Sequence, residues 1–292
     1  MIEVISSGGP MGVVVEGVNL SRPLADETRQ ELERLLCRNG VLCFRDQALS
    51  SKQVRDFSAT FGTLEINVAG GFQEPEFPEV MILSNIVRDG RPIGLSDAGQ
   101  SWHTDMSYSG TVAFANVLYA IEVPVRDGEP LGRTEFCDMH AAYAALPAAV
   151  RRKLANMTVV HDFDKFWEMM RRDKGSNRPP LTDAQRRAKP PVSHPIFPIH
   201  PVTRRRVLYA NPGYSVRINE MDEVESAETL AFLFEHQTQE RFQYRHRWQV
   251  GDVLMWDNLG TIHNAVADYG PAEHRHIKRC QIAADRFPEL AP

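Results

Sequence analysis

An all-β core with added helices, built as an antiparallel sandwich or barrel of the jelly-roll type, is the fold class that this 292-residue chain predicts. Three observations lead there. Helical periodicity is concentrated near the start, from Leu24 to Asn39 and again from Ser50 to Phe61. Short apolar runs of strand length then follow one another, bounded by Gly, Pro, Asn and Asp and interrupted by a few more helices. Repeats and low-complexity tracts are absent, so residues 1–292 are expected to form one domain.

In chain order, Leu24 to Asn39 reads as a helix because Leu32, Leu35 and Leu36 form a stripe, Asp26 and Glu27 favour its positive N-terminal end, and Gly40 stops it. Val41 to Phe44 is a short buried strand. Ser50 or Ser51 caps the next helix, which turns Val54, Phe57 and Phe61 inward and ends at Gly62. From Thr63 to Gly99 glycine, proline and acidic residues surround a strand at Val80 to Leu83; within this stretch Asn67 to Glu74 is a candidate substrate wall. Ala113 to Val123 and Thr134 to Cys137 read as strands, Met139 to Leu146 as a helix, and Pro147 opens another helix through Asn156. Thr158 to Phe163 is strand-like. Asp164 to Pro191 mixes Phe166, Trp167, Met169 and Met170 with charges and prolines, and is expected to be a mobile lid with its aromatic residues facing a pocket. Beyond Val192 short strands resume, interrupted by a helix from Val224 to Gln237. They end in Phe242 to Trp248, Val253 to Trp256 and Ile277 to Ala283, the first two joined by the turn Val250-Gly251-Asp252.

Composition excludes several function classes. A net charge of -5 leaves no electrostatic footprint for nucleic acid, and the clusters Arg151-Arg152-Lys153 and Arg204-Arg205-Arg206 are short enough to be solvated turns. No stretch approaches the roughly 18 apolar residues of a membrane span, and Met1-Ile2-Glu3-Val4-Ile5 lacks the basic and apolar regions of a signal peptide. A cytoplasmic protein is expected. Cys37, Cys43, Cys137 and Cys280 are scattered without C-x-x-C spacing, which predicts buried free thiols rather than disulfides or zinc ligands.

The chemistry is concentrated in Trp102-His103-Thr104-Asp105. On an extended chain residues two apart face the same side, so this imidazole and this carboxylate can converge on one point. Such an N/O pair is part of the two-His, one-carboxylate face that holds non-haem Fe(II) with positions left open. The third ligand must be brought in by the fold, and the candidate is His263, 160 residues later in Trp256-Asp257-Asn258-Leu259-Gly260-Thr261-Ile262-His263. The other eight histidines, such as His140 and His236, are read as structural. Arg275 and Arg279 follow in Glu273-His274-Arg275-His276-Ile277-Lys278-Arg279. A planar guanidinium grips a carboxylate with two parallel hydrogen bonds, which suits a dicarboxylate such as 2-oxoglutarate anchored beside a metal.

Together with Thr134-Glu135-Phe136-Cys137-Asp138-Met139, Tyr244-Arg245-His246-Arg247-Trp248 and Gly251-Asp252-Val253-Leu254-Met255-Trp256-Asp257-Asn258, these residues resemble the Fe(II)/2-oxoglutarate-dependent dioxygenases of the taurine dioxygenase and 2,4-dichlorophenoxyacetate dioxygenase (TauD/TfdA) family. The resemblance runs from Gly17-Val18-Asn19-Leu20 to Arg279. It implies a double-stranded β-helix with ligands at its open end. It implies His103, Asp105 and His263 as the iron ligands and catalytic centre, and Arg275 with Thr134 as the residues that hold the distal carboxylate of 2-oxoglutarate. Arg279 then meets the anionic group of the substrate, with Asn67 and Phe166 as further substrate contacts. The reaction it implies consumes 2-oxoglutarate and O2, releases succinate and CO2, and oxidises an unactivated C–H bond. A dimer or tetramer is the implied assembly.

Asn67 stands where the taurine enzymes carry a histidine that contacts the sulfonate, and Gly99 stands where they carry an asparagine. Gly128 to Thr134 also departs from the usual Gly-Gly-Asp-Thr. The expected substrate is therefore a small organic acid, most simply a carboxylate, rather than taurine. Three functions are compatible with these residues: hydroxylation of such an acid; desaturation, ring closure or another oxidative outcome at the same iron site; and a non-catalytic β-sandwich binding protein in which His103 and Asp105 are structural. Succinate formation that depends on iron and substrate separates the first two from the third, and product mass separates the first from the second.

Overall fold

The computed structural model describes residues 2–66, 71–174, 176 and 179–290. The chain opens with β1 (Glu3–Ser6), β2 (Val13–Glu16), α1 (Asp26–Asn39), β3 (Val41–Phe44), α2 (Ser51–Ala59) and β4 (Phe77–Ser84). Next come β5 (Ala113–Glu122), β6 (Thr134–Asp138), α3 (Met139–Ala145), α4 (Ala148–Leu154) and β7 (Thr158–His161). The remainder is α5 (Phe163–Asp173), α6 (Asp183–Ala188), β8 (Val192–Pro195), β9 (Ser215–Ile218), α7 (Glu223–Gln237), β10 (Gln243–His246), β11 (Val253–Asp257), β12 (Thr261–Ala265) and β13 (His276–Ala283). The hairpin β1–β2 has no counterpart in the sequence reading, because β1 is exposed along its whole length and lacks an apolar alternation.

The large sheet runs in the order β1-β2-β3-β11-β5-β13-β4, antiparallel except for the β2–β3 pair. A smaller sheet, β10-β6-β12, faces it, and a third, β8-β7-β9, lies beyond. The large sheet is buried on both faces, and its side chains divide by the two-residue period of a strand. Leu42, Phe44, Val117, Val253, Met255, Cys280 and Ile282 pack with Leu32 and Leu36 of α1 and Val54 and Phe57 of α2. Their alternates Val41, Cys43, Leu118, Leu254, Trp256 and Ile277 pack with Phe136 of the small sheet and with Trp248. This double burial explains why β3 and β11 read as unbroken apolar runs. All four cysteines are free and buried inside these layers.

The stretch expected as a lid contains two helices. Asp162 accepts from the Asp164 N–H and starts α5, which ends the preceding strand at His161, short of the expected Phe163. Thr182 caps α6 in a reciprocal box with Gln185. Trp167 Nε1 donates to the Pro179 carbonyl at 2.7 Å, and Arg186 pairs with Asp164 at 3.3 Å, so the two helices are held together.

The turn between β11 and β12 is organised by one carboxylate. Asp257 Oδ1 accepts from the N–H groups of Leu259 and Gly260, at 3.0 and 3.1 Å. His200 Nδ1 accepts from the N–H groups of Val202 and Thr203, so its Nε2 carries the proton and donates to Asp257 Oδ1 at 3.2 Å. Gly260 has to lack a side chain here, since a Cβ would lie 2.4 Å from Asp257 Oδ2. Removing the carboxylate leaves three buried donors without an acceptor, a defect worth about 3 kcal/mol. Asp257→Ala is expected to lower urea-denaturation stability by about that amount, while Asp257→Asn, which keeps one acceptor oxygen, loses clearly less; equal stability for all three proteins would contradict this role.

Candidate active site

His103 and His263 form an isolated antiparallel bridge: the His103 N–H donates to the His263 carbonyl at 3.0 Å, and the His263 N–H returns to the His103 carbonyl at 2.9 Å. Their ring centroids lie 4.1 Å apart. Asp105 is two residues on, so its side chain emerges on the same side as His103. Its Oδ1 lies 3.5 Å from His103 Nε2 and its Oδ2 3.6 Å from His263 Nε2. All three residues are buried, and their candidate ligand atoms lie within 4.8 Å of one another.

Asn258 fixes the aspartate's backbone. Its Oδ1 accepts from the Asp105 N–H at 3.2 Å and from Asn116 Nδ2 at 3.1 Å, while its Nδ2 donates to the carbonyls of Asp105 and Ala113 at 2.9 and 3.0 Å. Met106 then takes a left-handed φ of 57°, which reverses the chain immediately after the carboxylate. The Ser101 carbonyl, 2.7 Å from His103 Nδ1, can only accept; Nδ1 therefore carries a hydrogen, and Nε2 is the nitrogen turned toward Asp105. This is the orientation that a metal-ligating histidine requires.

Burial alone would raise the Asp105 carboxyl, but the His103 ring and the Arg279 guanidinium, 3.9 Å away, outweigh it and hold the group well below the usual carboxylate range. Burial, reinforced by His103, pushes His263 down to about 3. Asp105 is thus an anion and the His263 imidazole neutral near neutral pH, and buried Asp105 Oδ2 has no hydrogen-bond partner. A divalent cation fits this donor set.

Two other clusters, Cys37–His200–Asp257 and Cys43–His246–Asp252, meet the same distance criterion. In each of them one carboxylate oxygen already serves protein donors. Asp257 and His200 serve the β11–β12 turn, and Asp252 accepts from Arg45 at 2.5 Å and from the Gln249 N–H at 2.8 Å. Burial raises the Cys43 thiol to about 12 and Cys37 further still.

The two arginines lie on the inner side of the sandwich, with Ile277 between them. Arg279 contacts Met81 Sδ and Gln281 Oε1, at 3.2 and 3.3 Å, and its buried Nε has no partner. Arg275 is 8% exposed and packs against the Tyr269 ring, 6.0 Å from its centroid; no carboxylate among the described residues lies within ion-pair distance of it. Gly132, two residues before Thr134, lies against both, since a Cβ there would meet Tyr269 at 3.0 Å and Arg275 Cδ at 3.3 Å. Thr134 is buried and its hydroxyl accepts from Trp248 Nε1 at 3.1 Å.

In front of the triad is a cavity of about 490 Å³ lined by His103, Asp105 and Arg279 and by a wall of aromatic residues. Phe166 stands 5.0 Å from the His103 ring and stacks on Tyr214, which in turn lies 4.7 Å from Tyr108. The close approach of this wall depends on Gly213, where a Cβ would sit 2.7 Å from that of His103. Phe72, from the stretch read as a substrate wall, also lines the cavity, as do Leu181 and Lys189 from the stretch read as a lid. Asn67 lies outside the described residues. Arg275 and Thr134 do not line this cavity.

The sequence reading brought His103, Asp105, His263, Phe166 and Arg279 to one site, and the structure unites them. It missed Asn258 as a clamp, and it missed Tyr214, Tyr108 and Lys189 as cavity wall. The turn signal Asn211-Pro212-Gly213-Tyr214 marks a loop but not what the loop faces.

The chain matches the family model described as taurine catabolism dioxygenase TauD, TfdA family, over residues 5–281. It belongs to this family. It is 34% identical to the alpha-ketoglutarate-dependent 2,4-dichlorophenoxyacetate dioxygenase of Cupriavidus pinatubonensis, covering 93% of this chain and 94% of that one. It is 32% identical to pentalenolactone F synthase of Streptomyces arenae, covering 93% and 92%. The crystal structure of AAD-2 with Mn(II) and N-oxalylglycine superposes with a TM-score of 0.79 at 27% identity, covering 97% of each chain. A taurine dioxygenase from Burkholderia xenovorans superposes at 0.77 and 28%, covering 97% of this chain and 89% of that one. The TauD/TfdA chain described here is accordingly a 2-oxoglutarate-dependent dioxygenase with a jelly-roll core and helical additions. Among its described residues no helix is long and apolar enough to cross a membrane.

Burial has a consequence for acid stability. His194, donating to the Ser107 carbonyl at 2.9 Å, is pushed down to about 4, and His263 to about 3. Both take up a proton more readily in the unfolded chain, so their contribution is complete above about 6.5 and is lost as pH falls toward the folded values. The metal-free protein is expected to lose urea-midpoint stability steadily between pH 6.5 and 4, with a shallower loss in His194→Gln; a flat profile in the parent protein would contradict the assignment.

Proposed function

We propose that this TauD/TfdA enzyme holds one Fe(II) on His103 Nε2, Asp105 and His263 Nε2, and uses 2-oxoglutarate and O2 to hydroxylate an unactivated C–H bond of a small organic acid. The observation that carries the reading is the convergence of two imidazole Nε2 atoms on a buried carboxylate, one of whose oxygens has no hydrogen-bond partner. When bound, iron and cosubstrate supply the oxidising equivalents, and 2-oxoglutarate leaves as succinate and CO2.

The chain's own residues bind, orient and exclude water. Arg275, buried with no carboxylate beside it, grips the distal carboxylate of 2-oxoglutarate. Thr134, whose oxygen is occupied by Trp248, keeps its O–H proton for the same carboxylate. Arg279 orients the acidic group of the substrate, with its unpartnered Nε as one donor. Phe166 and Tyr214 shield the reacting bond from water, and the helices α5 and α6 close over the substrate as a lid.

A second outcome at the same site, desaturation or ring closure, is favoured by the size of the aromatic cavity and by the 32% identity to a protein named pentalenolactone F synthase. A 2-oxoglutarate turnover screen over carboxylates, sulfonates and N-substituted amino acids, with product masses recorded, separates the two.

Loss of a buried charge-assisted contact costs about 3 kcal/mol, or roughly 100-fold in affinity. Arg275→Ala is therefore expected to raise the KM for 2-oxoglutarate about 100-fold, and Arg279→Ala to raise the KM for substrate far more than that for 2-oxoglutarate. Equal effects of Arg279→Ala on both constants would refute its role. Asp105→Ala and His263→Ala should abolish iron-dependent succinate formation, and turnover that survives either change would sink the metal assignment.

A further inference from the structure

Sixteen of the described residues line the cavity in front of the triad, and their charges do not balance. Asp105 is the one carboxylate among them, facing two cations, Arg279 and Lys189. On the reading above Asp105 is committed to the metal, which leaves both cations facing the cavity without a protein counter-charge. They belong to different walls. Arg279 stands on the inner face of β13 beside Asp105, whereas Lys189 follows α6 and carries its ammonium over the Tyr108 ring, 5.8 Å from the centroid. Ring contacts run from Tyr108, under the Lys189 ammonium, to Tyr214 and on to the metal ligand His103. No ion pair joins Lys189 to a carboxylate among the described residues. Two separated positive groups with an apolar stretch between them are complementary to a ligand of the same pattern in negative charge.

We infer that the substrate carries two acidic groups separated by an apolar spacer, the first on Arg279 beside the metal site and the second on Lys189. The inference rests on the proposed metal-site reading and extends it from an acid to a diacid. Lys189 acts as a specificity-determining residue, adding affinity for the second charge without touching the reacting bond. A monoacid of the same length still binds through Arg279 and the aromatic wall, but leaves the ammonium unmatched.

The test uses the full chain loaded with Fe(II) and saturating 2-oxoglutarate under anaerobic conditions. Calorimetric Kd values are measured for straight-chain α,ω-dicarboxylates of six to twelve carbons and for aryl dicarboxylates, each beside the monocarboxylate of equal length. At least one diacid is expected to bind about tenfold tighter than its monoacid, the increment of one charge-assisted contact in a partly buried site. Lys189→Gln should remove that gap by weakening the diacid about tenfold more than the monoacid, and Lys189→Arg should keep it. Lys189 is half-exposed, so neither variant threatens folding. A panel in which no diacid outbinds its partner, absence of binding included, overturns the inference, as does a gap that survives in Lys189→Gln. Binding of 2-oxoglutarate to the same Fe(II) sample reports on the underlying reading separately. If the cosubstrate fails to bind, the metal-site reading itself falls; if it binds and the gap is missing, only the second acidic group is lost.

Discussion

Two backbone hydrogen bonds between His103 and His263 hold the rest of the site in register. They close a loop of 160 residues at a single bridge, and they do so where the imidazoles must meet. A bridge this small cannot bear the entropy of such a closure alone. It is supported by Asn258, whose amide satisfies both backbone groups of Asp105, and by Asp257, which sets the turn leading into β12. The candidate ligand atoms are thereby held together by peptide geometry and neighbouring amides, so that on the proposed reading ion binding need not order them.

The architecture divides the work among layers. The small sheet contributes His263 and Thr134, the inner face of the large sheet contributes Arg279, and the chain entering that face contributes Arg275. These positions are buried between two packed layers and tolerate little change. The outer wall of the cavity comes from α5, α6 and the loop around Gly213 and Tyr214. On the proposed reading the sandwich sets the chemistry and the peripheral wall the choice of substrate, consistent with relatives whose names describe different reactions.

Much of this was legible in the sequence because it obeys short-range periods. The spacing of His103 and Asp105, the shared face of Arg275 and Arg279, and the unbroken apolar runs of β3 and β11 all follow from a two-residue strand repeat. The distal histidine was legible through the family motif, since spacing cannot bring together residues so far apart. What escaped has physical reasons. Strand β1 shows no alternation because both its faces are exposed. The helices α5 and α6 were obscured by prolines and charges that lie in their connection and on their solvent side, although Asp162 and Thr182 are sound N-caps. Tyr214 and Lys189 reach the cavity through tertiary packing, which leaves no mark at their own positions.

The strand that carries Arg279 is central in the large sheet, flanked by β5 and β4, segments synthesised far earlier. Such pairing has a high sequence separation and forms late. A ribosome must therefore release the chain through residue 283 before the sheet can close and before both guanidiniums reach the inner face. An unfinished chain lacks that inner face with its two guanidiniums, so the candidate site is assembled only when the protein that contains it is able to fold.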